Sequence, residues 1–163
     1  MYILRHVFFC IGGNLGDRKA NLEETQDFLN FNIGDVITTS DIYETEPWEM
    51  SDVPTFYNQV VVVETKMTNE QLISEIKEIE MYYGRVRNGL NYQSREMDVD
   101  VIFIDDEIID SKELQVPHPK MTHRRFVLEP LAQIAAEKLH PVSKKTVKQL
   151  LDECSDSHSV KKI

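Results

Sequence analysis

The stretch Met97-Asp98-Val99-Asp100-Val101-Ile102-Phe103-Ile104 constrains this chain more than any other. Its apolar, largely β-branched residues read as a buried strand, yet carboxylates stand at 98 and 100. Side chains two apart on a strand share a face, so Asp98 and Asp100 project together. Such a strand accepts a carboxylate pair where something cationic meets it, because an unpaired buried carboxylate is very costly. Hard divalent ions take oxygen ligands of this kind, and Mg²⁺ typically binds one or two carboxylates plus substrate phosphates. Just upstream, Gly84-Arg85-Val86-Arg87 and Arg95 set three guanidinium groups in a polar stretch suited to phosphate oxygens. Carboxylates for a metal beside arginines for phosphate point to an enzyme of phosphoryl-type transfer from a nucleotide.

The elements around this strand alternate. Val7 to Ile11 predicts a short buried strand, ending in Gly12-Gly13-Asn14-Leu15-Gly16-Asp17, a loop that needs permissive backbone angles. Asp17 can cap a helix running through about Asn30, with Leu22 and Leu29 on one face. Val36 to Tyr43 predicts a strand, followed by a polar loop closed by Pro47 and Pro54. Phe56 to Glu64, with its valine run Val60 to Val63, predicts another. Thr68-Asn69-Glu70-Gln71 matches a capping box. The helix it opens carries Leu72, Ile73, Ile76, Ile79 and Tyr83 at helical spacing, and Gly84 suits its C-terminal cap. With the strand from Met97 to Ile104 the order is βαββαβ, the split βαβ pattern of an α/β (α+β) ferredoxin-like sandwich with helices on one face of an antiparallel sheet. Further on, Val116-Pro117-His118-Pro119 is extended by its prolines, and Phe126 to Ala136 and Thr146 to Cys154 predict C-terminal helices. The expectation is a single domain over 1–163, with its core within about 7–154 and a polar, mobile tail over 155–163.

Composition narrows the class. A net charge of −10 argues against a general nucleic-acid or membrane-surface binder, while leaving room for a local basic pocket. Cys10 and Cys154 are too few and too far apart for a disulfide framework or a zinc site. No stretch approaches a membrane span, and the first residues lack the pattern of a signal peptide. A cytoplasmic monomer acting on small molecules is the expectation. Gly12-Gly13-Asn14 is neither a Walker loop nor a Rossmann fingerprint, so a nucleotide must be held by side chains and strand edges.

Several landmarks occur together in order: Gly12-Gly13-Asn14-Leu15, Tyr43-Glu44-Thr45-Glu46-Pro47-Trp48, Phe56-Tyr57-Asn58, Glu80 to Arg87, Arg95-Glu96-Met97-Asp98-Val99-Asp100, Val116-Pro117-His118, and Arg124-Arg125-Phe126. From about Val7 to Ala136 the chain resembles the hydroxymethyldihydropterin pyrophosphokinase family of folate biosynthesis. The resemblance implies a ferredoxin-like fold and transfer of a pyrophosphoryl group from ATP to the hydroxymethyl oxygen of 6-hydroxymethyl-7,8-dihydropterin, releasing AMP. It implies that Asp98 and Asp100 hold two Mg²⁺ ions, that Arg85 and Arg95 lie on a mobile catalytic loop, and that Arg87, His118 and Arg124 contact ATP. Thr45, Pro47, Trp48, Phe56, Asn58 and Phe126 match the pterin pocket. Some relatives differ at Gly13, Ser94, Glu96, Glu113 and Pro119, which leaves the metal pair and the loop arginines in place.

On the residues alone, other readings stay open. Asp98 and Asp100 also fit solvated carboxylates on an edge strand, and Arg85 and Arg87 fit a basic helix end. Phe56 and Phe126 rank first as core. A metal-dependent nucleotide hydrolase or transferase would need the Asp pair but no aromatic pocket. A non-catalytic ferredoxin-like nucleotide-binding module would leave the Asp pair and the Arg loop without a task.

Overall fold

A computed structural model describes residues 3–46, 54–84 and 97–163. The elements run β1 (Arg5–Gly13), α1 (Arg18–Asn32), β2 (Asp35–Thr39), β3 (Tyr43–Thr45), β4 (Phe56–Thr65), α2 (Asn69–Tyr82), β5 (Asp98–Ile104), β6 (Ile109–Asp110), β7 (Gln115–Val116), α3 (Arg125–Ala135), α4 (Val147–Asp152) and β8 (Val160–Lys162). β5, β1, β4, β3 and β8 are neighbours in that order in an antiparallel sheet, with β2 also on β4. The central β5-β1-β4 arrangement with α1 and α2 is the expected ferredoxin-like core.

The strands are apolar on both faces, and this decides the layering. Val7, Phe9, Ile11, Val61, Val63, Val99 and Val101 pack with Leu22, Leu29, Leu72 and Ile79 of α1 and α2. From the alternate positions, Cys10, Val60 and Ile102 pack with Met121, Leu128, Leu131 and Leu150. α1 and α2 thus cover one face, and α3 and α4 cover part of the other. The unbroken valine run of β4 follows, since a strand buried on both sides has no polar alternation. Among the described residues, no helix is long and apolar enough to cross a membrane.

Two expectations change. The strand predicted from Val36 to Tyr43 is two strands, each pairing with a different half of β4. Ser40 is the joint. Its N–H donates to the Val60 carbonyl at 2.9 Å, and its Oγ accepts from the Val60 N–H at 2.9 Å. The ladder is thereby bridged by a side chain where the backbone turns away, a local competition typical of serine. Second, the polar tail expected from Ser155 contains β8, which adds to the sheet edge at β3, with Thr45 opposite Val160 and Tyr43 opposite Lys162. Main-chain pairing needs no apolar side chains, so a hydrophobicity pattern does not register it.

The helix ends follow their caps. Thr68 Oγ1 accepts from the Gln71 N–H while Gln71 Oε1 accepts from the Thr68 N–H, and Thr146 and Gln149 repeat the arrangement at α4. Gly84 takes a left-handed φ of 71° after α2, where a side chain would be strained. Thr68→Ala should therefore destabilise the protein by about 1 kcal/mol in urea unfolding, with an unchanged dependence on denaturant.

Candidate active site

The register of the central strands brings the predicted residues to one end of the sheet. Asp98 of β5 lies opposite Gly12 of β1, and Gly12 lies opposite Asn58 of β4. Asp100 is opposite Cys10, Asn58 opposite Tyr43, and Phe56 opposite Thr45. Cross-strand partners share a face, as do residues two apart. Asp98, Asp100, Phe56, Asn58 and Thr45 therefore project with Cys10 and Val60 on the α3 side of the sheet. The shared face that the spacing of the two aspartates predicts is present, and both are half-buried.

Glycine makes the row possible. A Cβ on Gly12 would stand 2.0 Å from Asn58 Oδ1 and 2.6 Å from the Tyr57 carbonyl oxygen. Asn58 lies in the space this missing side chain leaves, and its Nδ2 donates to Thr45 Oγ1 at 2.9 Å. Both are buried, so their amide and hydroxyl groups form a fixed polar wall. Arg18 buttresses the outside of that wall. It donates to the Thr55 carbonyl at 2.9 Å and lies over the Tyr57 ring at 3.9 Å.

The electrostatics of this end are mixed. Burial pushes the Cys10 thiol far up, and the neighbouring charges of Asp100 and Asp98 push it further, against the opposing pull of Arg124. The thiol is thus a protonated, inert floor under the carboxylates. Burial pushes His118 down from the ordinary 6.5 to about 4, helped by Arg124 and Lys120 and opposed by Asp98. Its Nδ1 accepts from the Lys120 N–H at 3.1 Å, so the neutral ring carries its proton on Nε2, a donor. Arg124 precedes α3, with its guanidinium 5.6 Å from the Phe126 ring centroid. Its Nε is buried and has no hydrogen-bond partner among the described residues. Phe126 is half-buried at the edge of the α3 core cluster.

A cleft of about 690 Å³ runs along the outer edge of β5, lined by Asp100, His118, Ile76, Lys77, Glu80 and Leu114 among others. Among the described strands β5 is the last of the sheet on this side, and the His118 N–H donates to its Ile102 carbonyl at 3.0 Å beside the cleft. Cys10 and Lys77 have no site role in the sequence analysis, and Gly12 and Glu80 enter it only as landmarks of the resemblance. Their signal lies in strand register and tertiary packing, which local spacing does not carry. Asp98, Asp100, His118, Arg124, Thr45, Phe56, Asn58 and Phe126 are the predicted site residues that the structure describes. Arg85, Arg87, Arg95, Pro47 and Trp48 lie outside the described residues.

A profile of the 7,8-dihydro-6-hydroxymethylpterin-pyrophosphokinase (HPPK) family matches residues 8–136. The chain belongs to that family. Among pyrophosphokinase relatives, the 2-amino-4-hydroxy-6-hydroxymethyldihydropteridine pyrophosphokinase of Aquifex aeolicus is 30% identical over 90% of this chain and 91% of its own length. The enzyme of the same name from Porphyromonas gingivalis is 35% identical over 83% of this chain and 93% of its own. The folic acid synthesis protein fol1 of Pneumocystis carinii is 34% identical over 96% of this chain, which spans 21% of that longer protein. A solved Plasmodium falciparum HPPK-DHPS structure shares the fold with a TM-score of 0.76 at 18% identity, covering 94% of this chain and 44% of its own.

The depressed basicity of His118 has a measurable sign. Between about pH 6.5 and 4 the unfolded chain binds a proton at His118 that the native chain does not. This share of stability is complete above 6.5 and is lost as the pH falls to about 4. In the ligand-free protein the His118 imidazole should titrate near pH 4 by NMR. His118→Gln should flatten the fall of unfolding free energy across that window.

Proposed function

We propose that this chain transfers the pyrophosphoryl group of ATP to the hydroxymethyl oxygen of 6-hydroxymethyl-7,8-dihydropterin, yielding AMP and the pterin diphosphate for folate synthesis. The observation that carries the reading is the row Asp98–Gly12–Asn58, which joins an acidic edge beside a nucleotide-sized cleft to a buried amide and hydroxyl wall. Family membership supports the same reading.

Asp98 and Asp100 offer hard oxygen donors on one face, which fits Mg²⁺ with the remaining ligands coming from phosphates and water. Two ions there would neutralise the triphosphate and align the attacking and leaving oxygens. His118 donates from Nε2 to a phosphate oxygen, a role that its neutral state permits at every pH above about 4. Arg124, whose buried Nε has no partner among the described residues, supplies a guanidinium to the same phosphates.

Asn58 and Thr45 face the amide edge of the pterin, where a carboxamide can both donate and accept. Phe126 and Phe56 flank the flat ring, and an aromatic pair of this kind contributes about 0.5–1.5 kcal/mol beyond area burial. Held this way, the hydroxymethyl oxygen attacks the β-phosphorus. The bond from that phosphorus to the bridging oxygen of AMP breaks, the electron pair leaves with AMP, and the hydroxyl proton passes to solvent. Arg85, Arg87 and Arg95 match the phosphate-binding arginines of the family, and Pro47 and Trp48 match its pterin-binding residues. That assignment rests on the resemblance.

The nucleotide product is the decisive measurement. Incubation with ATP, Mg²⁺ and the hydroxymethyl pterin should give AMP in equal amount to pterin diphosphate, and stoichiometric ADP would overturn the assignment. Asp98→Asn and Asp100→Asn preserve shape while removing charge, and each should lower kcat by roughly 100-fold or more, about 3 kcal/mol, in a protein that remains folded. Near-normal turnover in both would make these carboxylates structural.

A further inference from the structure

α3 starts without a cap of its own. Arg124, at the N-cap position, makes no side-chain hydrogen bond to the first turn. The missing acceptor comes from far along the chain, as Asp156 Oδ2 accepts from the Arg125 N–H at 2.9 Å. The Arg125 side chain returns the contact, with Nε donating to the Asp156 carbonyl at 2.9 Å and Nη2 to the Cys154 carbonyl at 3.1 Å. Asp156 Oδ1 accepts from the His158 N–H at 3.0 Å and pairs with the imidazole Nδ1. The Asp156 side chain is 1% exposed. Burial alone would raise its pKa, but the His158 and Arg125 N–H groups and the His158 ring hold it below the ordinary value. A buried carboxylate with this many donors is a fixed point rather than a surface charge.

From that point the chain crosses to the opposite wall of the pocket. The Ser159 N–H donates to Glu46 Oε1 at 3.1 Å, and the Glu46 N–H donates to the Ser159 carbonyl at 3.2 Å. Val160 then pairs with Thr45. One short segment therefore grips the first turn of α3 between Arg124 and Phe126 and also the strand end carrying Thr45, the residue to which Asn58 donates. α3 is tied to β3 a second way, through the Tyr43 hydroxyl and Gln133 Oε1 at 3.1 Å, but that contact lies at the far end of the helix.

We infer that Asp156 is a positioning residue for the pterin, acting through Arg125 and β8 to set the separation between the Phe126 ring and the Thr45–Asn58 wall. The inference rests on the pterin reading of this pocket. It extends the binding machinery to residues 154–162, beyond the last residue matched by the family profile. A planar ring held between an aromatic face and a hydrogen-bonding wall is sensitive to that separation, since both contacts are short-range. On the phosphate-binding side β5 and His118 lie on other elements, and Arg124, which shares the start of α3, is the residue through which a smaller effect reaches the nucleotide.

The test is a split between two ligands. Asp156→Ala and Asp156→Asn are measured against the wild type for pterin affinity, for affinity toward a non-hydrolysable Mg-ATP analogue, and for thermal midpoint. Asp156→Ala should raise the Kd of the pterin by roughly tenfold and that of the nucleotide analogue by less than about twofold. Asp156→Asn, which retains one acceptor oxygen, should fall between. If the alanine variant does not fold, Arg125→Gln keeps the capped N–H and removes the guanidinium, and it should show the same split at smaller size. Folded variants that lose thermal stability while binding pterin as the wild type does would overturn the inference and leave the clasp purely structural. A wild-type protein that binds no pterin would overturn the functional reading itself and the inference with it, which separates the two failures.

Discussion

The approach of β1 to β4 at Gly12 is the contact on which the rest of the site depends. Two strands hydrogen-bonded at normal spacing leave room between their side chains, yet here Asn58 lies across the position that any Cβ at residue 12 would occupy. With a side chain there, Asn58 would have to leave the sheet face, and its bond to Thr45 would go with it. The same residue is opposite Asp98 on its other side, so one glycine separates the acidic edge from the amide wall without filling the space between them. The sheet thereby provides a floor with a carboxylate at one side, a carboxamide at the other and no side chain in the middle.

Two of the described groups around that floor are held without charge. The nearest ionisable floor residue, Cys10, stays a thiol because it is buried beneath two negative charges. His118 stays neutral because burial and the neighbouring cations Arg124 and Lys120 outweigh the attraction of Asp98. A protonated imidazole at this position would neutralise part of the field that draws a cation to Asp98 and Asp100. Keeping it neutral preserves that field and still provides an N–H donor. The overall charge of −10 adds to the attraction for cations, and a phosphate ligand would need specific guanidinium groups rather than a diffuse basic surface.

Local signals made most of the fold legible. The capping box at Thr68, the spacing of Leu72, Ile76 and Ile79, the valine run of β4 and the alternation through Asp98 and Asp100 each depend on residues within a few positions of one another. The hidden features depend on partners distant in sequence. Ser40 breaks a strand because β4 offers it a backbone site, and β8 exists because β3 has an open edge. Asp156 reads as one acid among many in a polar tail until Arg125 is found against it. Among the candidate site residues, Asp98, Asp100, His118 and Phe126 follow from motif order. The roles of Gly12, a landmark only, and of Cys10 do not, since they come from register, which a one-residue shift would abolish.

A sheet that is apolar on both faces has a consequence for the nascent chain. β1, α1, β4, α2 and β5 are all synthesised before α3 begins, and they can assemble on the face that α1 and α2 cover. Until residues 125–152 follow, Cys10, Val60, Ile102 and Phe103 on the other face have no helix above them. The growing protein thus passes through a stage in which a half-finished domain displays a greasy surface to its surroundings, a state prone to sticking to its neighbours. Translation speed through the stretch between β5 and α4 sets how long that stage lasts, so slow codons there would lengthen the exposure and fast ones would shorten it.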